Sequence, residues 1–154
     1  MAESGFKKEG VGSAHFLFEV DGQTIGRFME VGGLSVDVSV ENIEEGGENG
    51  FVHHLPGRMT WPNLTLKRGV TQSDNLFAWM RKSSGEQFAA NGNKLTRSTG
   101  AITLISNTRT RLRAWNIIDA FPVKWSGPTL AAGSSESAVE NLEITHHGFT
   151  ATTP

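Results

Sequence analysis

From Val31 to Gly57 the chain reads VGGLSVDVSVENIEEGGENGFVHHLPG, and along its first half apolar and polar residues alternate. In an extended strand successive side chains point to opposite faces, so Val36, Val38 and Val40 share one face and Ser35, Asp37, Ser39 and Glu41 the other. The next apolar residue is Ile43, an odd position, which predicts a β-bulge between Glu41 and Asn42. A glycine-rich acidic loop follows, and Phe51 to Leu55 supplies a return strand. The pattern describes a two-faced β-ribbon with one face suited to a core and the other to water.

Elsewhere the same period recurs in shorter runs. Ala14 to Val20 ends at the Asp21-Gly22 dipeptide and Thr24 to Val31 follows, a hairpin signal. Asn63 to Arg68 alternates Leu64 and Leu66 against Thr65 and Lys67 and stops at Gly69. Ala101 to Ser106 and Leu112 to Ile118 read as strands. Pro122 is expected to interrupt the second, leaving Val123 to Trp125 as an edge piece. Glu140 to Phe149 reads as the closing strand, with Leu142 and Ile144 on one face. A single helix is predicted from Asp74 to Ser83, where Leu76, Trp79 and Met80 recur at helical spacing behind a Ser73 or Asp74 cap. Strands in succession with one helix describe a mainly β fold, an antiparallel β-barrel or sandwich capped by that helix. Parallel topologies need alternating helices, which the pattern lacks.

A chain of 154 residues suits one domain, since at that size about 70% of the unfolded surface can be buried. Residues 1–13 lack periodicity and are expected to be a flexible N-terminal arm, 14–150 the domain, and 151–154 a C-terminal tail. There is no cysteine, which removes disulfide staples and thiolate metal sites. No secretory core or membrane-spanning apolar run is evident, so a soluble protein made in the cytosol, without direct membrane insertion, is expected. Fourteen Lys and Arg against sixteen Asp and Glu leave a net charge of −2. That balance lacks the footprint of a dedicated nucleic-acid binder and leaves little long-range repulsion between copies.

Candidate chemistry is thin. His53-His54 and His146-His147 invite a metal reading, but neighbours in a strand point apart and cannot share an ion without a kink. No Gly-x-Ser-x-Gly elbow accompanies the serines, and Glu41, Glu44, Glu45 and Glu48 lack the spacing of a calcium loop. Gly32-Gly33 and Gly46-Gly47 are not followed by the Lys-Ser or Lys-Thr and helix of a phosphate cradle. Arg109, Arg111 and Arg113 fall on one face of an extended segment by period two. That basic stripe ranks first as a surface for an acidic partner or neighbouring subunit, second as protection of a sheet edge, and last as a contact for nucleic-acid phosphates.

Several linked motifs carry a resemblance. They run in order as Gly22…Gly26-Arg27-Phe28…Glu30-Val31-Gly32-Gly33-Leu34, Glu45-Gly46-Gly47, Leu55-Pro56-Gly57, Leu64-Thr65-Leu66-Lys67-Arg68-Gly69 and Trp79. Trp115, Ala120-Phe121-Pro122-Val123-Lys124-Trp125-Ser126-Gly127-Pro128, Ser135…Ala138…Glu140-Asn141-Leu142-Glu143-Ile144 and His147-Gly148 follow. Over residues 14 to 150 the chain resembles the inner-tube proteins of contractile phage tails, and phage-derived extracellular injection systems more than virions.

The resemblance implies a structural protein with no catalytic residues, cofactor or metal. It implies small β-barrels in a six-membered ring, stacked into a hollow tube inside a contractile sheath, related in fold to the hemolysin-coregulated protein of type VI secretion. The Leu34–Ile43 ribbon and its return strand would then form an extended hairpin joining an inter-subunit barrel that lines the lumen. Combined with the alternation, this places Ser35, Asp37, Ser39 and Glu41 on the channel and packs Val36, Val38 and Val40 inward. The loop residues Glu44, Glu45, Gly46, Gly47, Glu48 and Asn49, with the N-terminal arm, are expected to order against the next ring. Implied partners are further copies, a sheath protein, baseplate or spike and tube-terminating proteins, and an effector protein or DNA as cargo. Assembly in the bacterial cytoplasm with release of the particle is the implied location. The competing readings are a secreted ring-shaped effector carrier of the type VI kind and a small His-dependent metal enzyme.

Overall fold

The structure is a computed structural model that describes residues 14–44, 46–47, 50–71, 73–84, 89–90, 92, 97–128, 133 and 138–152. The arm at 1–13, Glu45, Glu48, Asn49 and the last two residues lie outside the described residues. Among the described residues the elements run in the order β1 (His15–Val20), β2 (Gln23–Phe28), β3 (Glu30–Gly32), β4 (Asp37–Ile43), β5 (His53–Thr60), β6 (Leu64–Gly69), α1 (Asn75–Ser83), β7 (Ser98–Ile105), β8 (Arg111–Ser126), β9 (Val139–Thr145) and β10 (Phe149–Thr152).

The β1–β2 hairpin forms as the Asp-Gly signal predicts. Val20 pairs with Gln23, and Asp21 and Gly22 both take positive φ, 49° and 79°. A two-residue turn with both centres left-handed matches the twist of the strands it joins, and Asp-Gly tolerates that geometry best. The run predicted from Thr24 to Val31 divides at Met29: β2 pairs with β1, whereas β3 pairs with β6. The chain changes sheets there, a tertiary event with no local signal.

β8 makes the same passage without breaking. Its first half pairs with β7 as far as Ala120 and with β10, and from Phe121 it pairs with β9. Asp119, at φ 51°, lies where an extra residue in β8 shifts the β7 register, and such a bulge bends a strand. Pro122 therefore does not end the strand, contrary to expectation. It sits where β8 has one described strand neighbour, β9, the edge setting that proline tolerates. The closing run also divides: β9 ends at Thr145, and Gly148 at φ 125° turns the chain into β10. That last strand pairs Ala151 with Trp115 and Thr152 with Ala114, so residues read as tail are part of the sheet.

The strand path runs β2-β1-β7-β8-β9-β6-β3 with β10 on β8, and it does not close into a barrel. The architecture is a sandwich whose two halves share β8. Phe18, Phe28, Leu64, Leu66, Ile102, Ile117, Leu142 and Ile144 fill its interior and are essentially inaccessible. α1 begins one residue after Asp74, whose side chain makes no capping hydrogen bond. The helix buries Leu76 and Trp79, and Trp79 meets the edge of Phe18 at 5.6 Å.

Candidate assembly interface

β4 and β5 pair only with each other. They form a ribbon outside the sandwich, and each has an outer edge that no described strand occupies. Every residue of β4 is exposed. Eight of the thirteen large apolar side chains exposed among the described residues belong to the ribbon and its flanks: Val36, Val38, Val40, Ile43, Phe51, Val52, Leu55 and Met59, each 40–58% accessible. The expectation that Val36, Val38 and Val40 pack inward therefore fails within one chain, because no part of the described body covers that face.

The alternation itself survives, and for a reason the expectation missed. From Val40 to Ile43 the ladder is regular, with Glu41 opposite Leu55 and Asn42 opposite His54, so there is no bulge between Glu41 and Asn42. The irregularity lies between Val38 and Val40. Met59 and Pro56, their partners, are three residues apart, so the extra residue is in β5, at Gly57-Arg58. A Cβ on Gly57 would overlap Ser39 Oγ, so glycine permits the approach. Ile43 thus stands on the face of Asp37, Ser39 and Glu41, together with Thr60 opposite Asp37 and Leu55 opposite Glu41. Val38 and Val40 share the other face with Met59 and Pro56. One face is apolar at Val38 and Val40 and turns polar at Asn42 and His54, which stand opposite one another. The other is hydroxylic and acidic near the body, then apolar toward the tip, where Phe51 stacks edge-on to His53 at 5.0 Å.

The stalks of the ribbon are anchored to the body. Gly33, at φ 85°, packs so closely on the Asn63 carbonyl that a Cβ would overlap it. Asn63 Nδ2 donates to Glu143 Oε1 at 2.8 Å. His146, buried, bonds Pro62 O through Nε2 at 2.9 Å and accepts the Gly148 N–H on Nδ1 at 3.0 Å. Those two bonds describe a neutral imidazole with both nitrogens committed. His147 meets Asp119 Oδ2 at 3.2 Å and the Arg97 guanidinium. His53 and His54 sit at adjacent register positions of β5, opposite Ile43 and Asn42, and His54 Nδ1 lies 2.7 Å from Asn42 Oδ1. Neither histidine pair presents two free rings to one ion, and no group of three potential ligands occurs among the described residues.

Of the loop residues, Glu44, Gly46 and Gly47 are described and exposed, and Gly47 takes φ 104°. The arginine stripe does not form as spaced. Arg109 lies in the β7–β8 turn at φ 63°, donating its N–H to Ser106 O. An extra residue in β8 places Arg111 opposite Ile105 and Arg113 opposite Leu104, adjacent β7 positions that face opposite ways. All three remain exposed.

Sequence reasoning missed a buried ion pair. Arg68 and Glu140 stand opposite one another on β6 and β9, with Nε donating to Oε2 at 2.9 Å and side-chain exposures of 3% and 8%. The guanidinium also lies over the Phe28 ring at 5.3 Å, and a Cβ on Gly26 would collide with Nη1. Gly26, Phe28, Arg68 and Glu140 all occur among the motifs quoted above, and their spacing gave no sign that they meet.

A family model described as T4-like virus tail tube protein gp19 matches residues 12–150. No curated protein matches the chain. Among solved structures, a chain of the PVC extracellular contractile injection system, from its sheath-tube complex in the extended state, is 23% identical over 96% of this chain and 95% of that one, at a TM-score of 0.75. A chain from the same system's sheath/tube terminator is 25% identical over 94% and 96%, at 0.73. Hcp1 from Flavobacterium johnsoniae shares the fold more distantly, at 16% identity over 91% and 96% and a TM-score of 0.51.

Proposed function

Because the chain belongs to the family of T4-like virus tail tube proteins, we propose that its copies join through the β4–β5 ribbon into hexameric rings, stacked as the inner tube of a contractile injection system. The observation that carries this reading is a ribbon with both faces and both edges uncovered. An unpaired edge exposes backbone N–H and C=O groups, and a sibling ribbon satisfies them. Repetition around a ring closes a barrel and leaves no edge. Fully burying a Val or Ile is worth about 1.5–3 kcal/mol, so the face of Val36, Val38 and Val40 supplies a driving force once a neighbouring body covers it. The opposite face, with Ser35, Asp37, Ser39 and Glu41, then lines the channel. Its hydroxyls and carboxylates offer few footholds near the body, and the acids disfavour DNA phosphates, which supports an effector protein as cargo.

Rings whose two ends differ stack head to tail and do not close, so a tube-terminating partner must set the length. A sheath and a baseplate or spike complete the partners, with assembly in the bacterial cytoplasm before release. Among the described residues no helix is long and apolar enough to cross a membrane.

Electron microscopy of the purified chain, with light scattering over a concentration series, tests the reading. Rings and tubes are expected. A chain that stays monomeric at high concentration, even with sheath and baseplate proteins present, overturns it. Rings that never stack point to a secreted carrier.

A further inference from the structure

At its return end the ribbon joins the sandwich through Trp61, Pro62 and Asn63, which link Thr60 of β5 to Leu64 of β6. β6 is held by a strand on each side, and Gly33 of the outgoing stalk rests on the Asn63 carbonyl. The angle between ribbon and body is therefore set at this link. Among the described residues, two side chains of the body hydrogen-bond it: Glu143 accepts the Asn63 amide at 2.8 Å, and His146 reaches Pro62 O at 2.9 Å. His146 is only 5% exposed. Trp61 lies 6.2 Å from it and 5.1 Å from Phe149 between ring centroids. Gly148, at φ 125°, leaves room for the indole, which a Cβ there would meet at 3.0 Å.

This arrangement admits one protonation state of the imidazole. A carbonyl only accepts, so Nε2 carries the proton; the Gly148 amide only donates, so Nδ1, 3.0 Å away, must be bare. A second proton would set N–H against N–H, and the turn and the link could not both keep their bonds. No carboxylate hydrogen-bonds His146 among the described residues. Glu143 of β9 is engaged by Asn63, and Asp119 of β8 by His147, which also meets Arg97. The link and β10 bring Trp61, Pro62 and Phe149 against the ring, none of them ionisable.

Resting on the tube reading, we propose that His146 is a proton-sensitive latch, which when neutral holds the ribbon at the angle that ring closure needs and when protonated frees the stalk. The latched form binds no proton on Nδ1 and the freed form binds one. Latching is thus favoured above the ordinary histidine range, about pH 6.5, and is lost as pH falls below it. At about pH 5.5 the freed form gains roughly tenfold per copy. Channel carboxylates give the opposite sign, because protonating Asp37 and Glu41 removes repulsion between copies.

Sedimentation of the full chain between about pH 7.5 and 5.5, the span over which imidazole changes charge, tests the latch. The concentration needed for rings is expected to rise about tenfold or more at the acid end, and to recover on neutralisation. His146→Gln keeps an N–H for Pro62 and cannot titrate, so its threshold is expected to be the same at both ends. His147→Gln, and His53→Gln with His54→Gln, are expected to retain the full acid response. Hydrogen exchange on the unaltered chain, below its ring-forming concentration, decides without any substitution. Corrected for the intrinsic rate, the Gly148 amide is expected to lose protection on acidification while Ile102 and Leu142 keep theirs. Rings indifferent to acid, an acid response that survives in His146→Gln or vanishes in the other histidine variants, or an equally protected Gly148 amide overturns the proposal. A chain that forms no rings at neutral pH overturns the tube reading instead, and the Gly148 amide still judges the latch.

Discussion

β6 and β4 are strands of six and seven residues with the same alternating pattern. Leu64 and Leu66 of β6 are fully buried; Val38 and Val40 of β4 are 43% and 58% exposed. The difference lies in neighbours. β6 has a strand on each side, β3 and β9, and the opposing half of the sandwich over its apolar face. β4 has β5 alone. Alternation states which residues share a face and says nothing about which molecule covers it. In this chain the same signal specifies a core in one place and an assembly surface in another.

If that division holds, folding and assembly come apart under mutation. The largest effect should follow from replacing Asp37–Thr60 with a two-residue turn, which is feasible because Asp37 and Thr60 are paired partners. Rings should disappear on electron micrographs while thermal unfolding of the body stays cooperative; a body that unfolds would make the ribbon part of the core. Next comes Arg68→Ala, which strands a buried Glu140 carboxylate and should cost about 3–5 kcal/mol in chemical denaturation. A cost near that of a surface pair would show that the carboxylate reaches water.

Val40→Asp is the sharper probe of the ribbon. It should leave monomer stability within about 0.5 kcal/mol, as surface substitutions do, yet prevent ring formation in sedimentation, because burial at the interface would strand an unpaired charge. The smallest effect is expected for Asp37→Leu on the channel face: rings should still form at the same concentration, and their loss would reverse the assignment of faces. Within the body, Gly33→Ala tests the stalk, since φ 85° and the Asn63 carbonyl both oppose a side chain. Ring yield should fall more than unfolding temperature.

Local signals carried much of the fold. The Asp21-Gly22 turn, the half-buried strand at Leu64 to Arg68 and the helix from Asn75 were legible because each depends on residues a few positions apart. The ribbon was legible as two-faced for the same reason. The errors share another origin. The sheet change at Met29, the continuity of β8 through Pro122 and the splitting of Arg111 from Arg113 each depend on which strand lies alongside. The misplaced bulge is the clearest case: the slip toward Ile43 was read as an extra residue in β4, but β4 is regular there and Ile43 stands on the face of Glu41, while the ribbon's irregularity lies in β5 at Gly57-Arg58.

By itself, then, the sequence determined the alternating faces, the turns and the amphipathic helix α1, since φ and ψ preferences and side-chain period act within a few residues. Tertiary structure alone decided that Arg68 and Glu140 meet in the interior, that β8 serves both halves of the sandwich, and that the ribbon stands clear of the body. Those outcomes depend on contacts between residues far apart in the chain, whose partners no local pattern names.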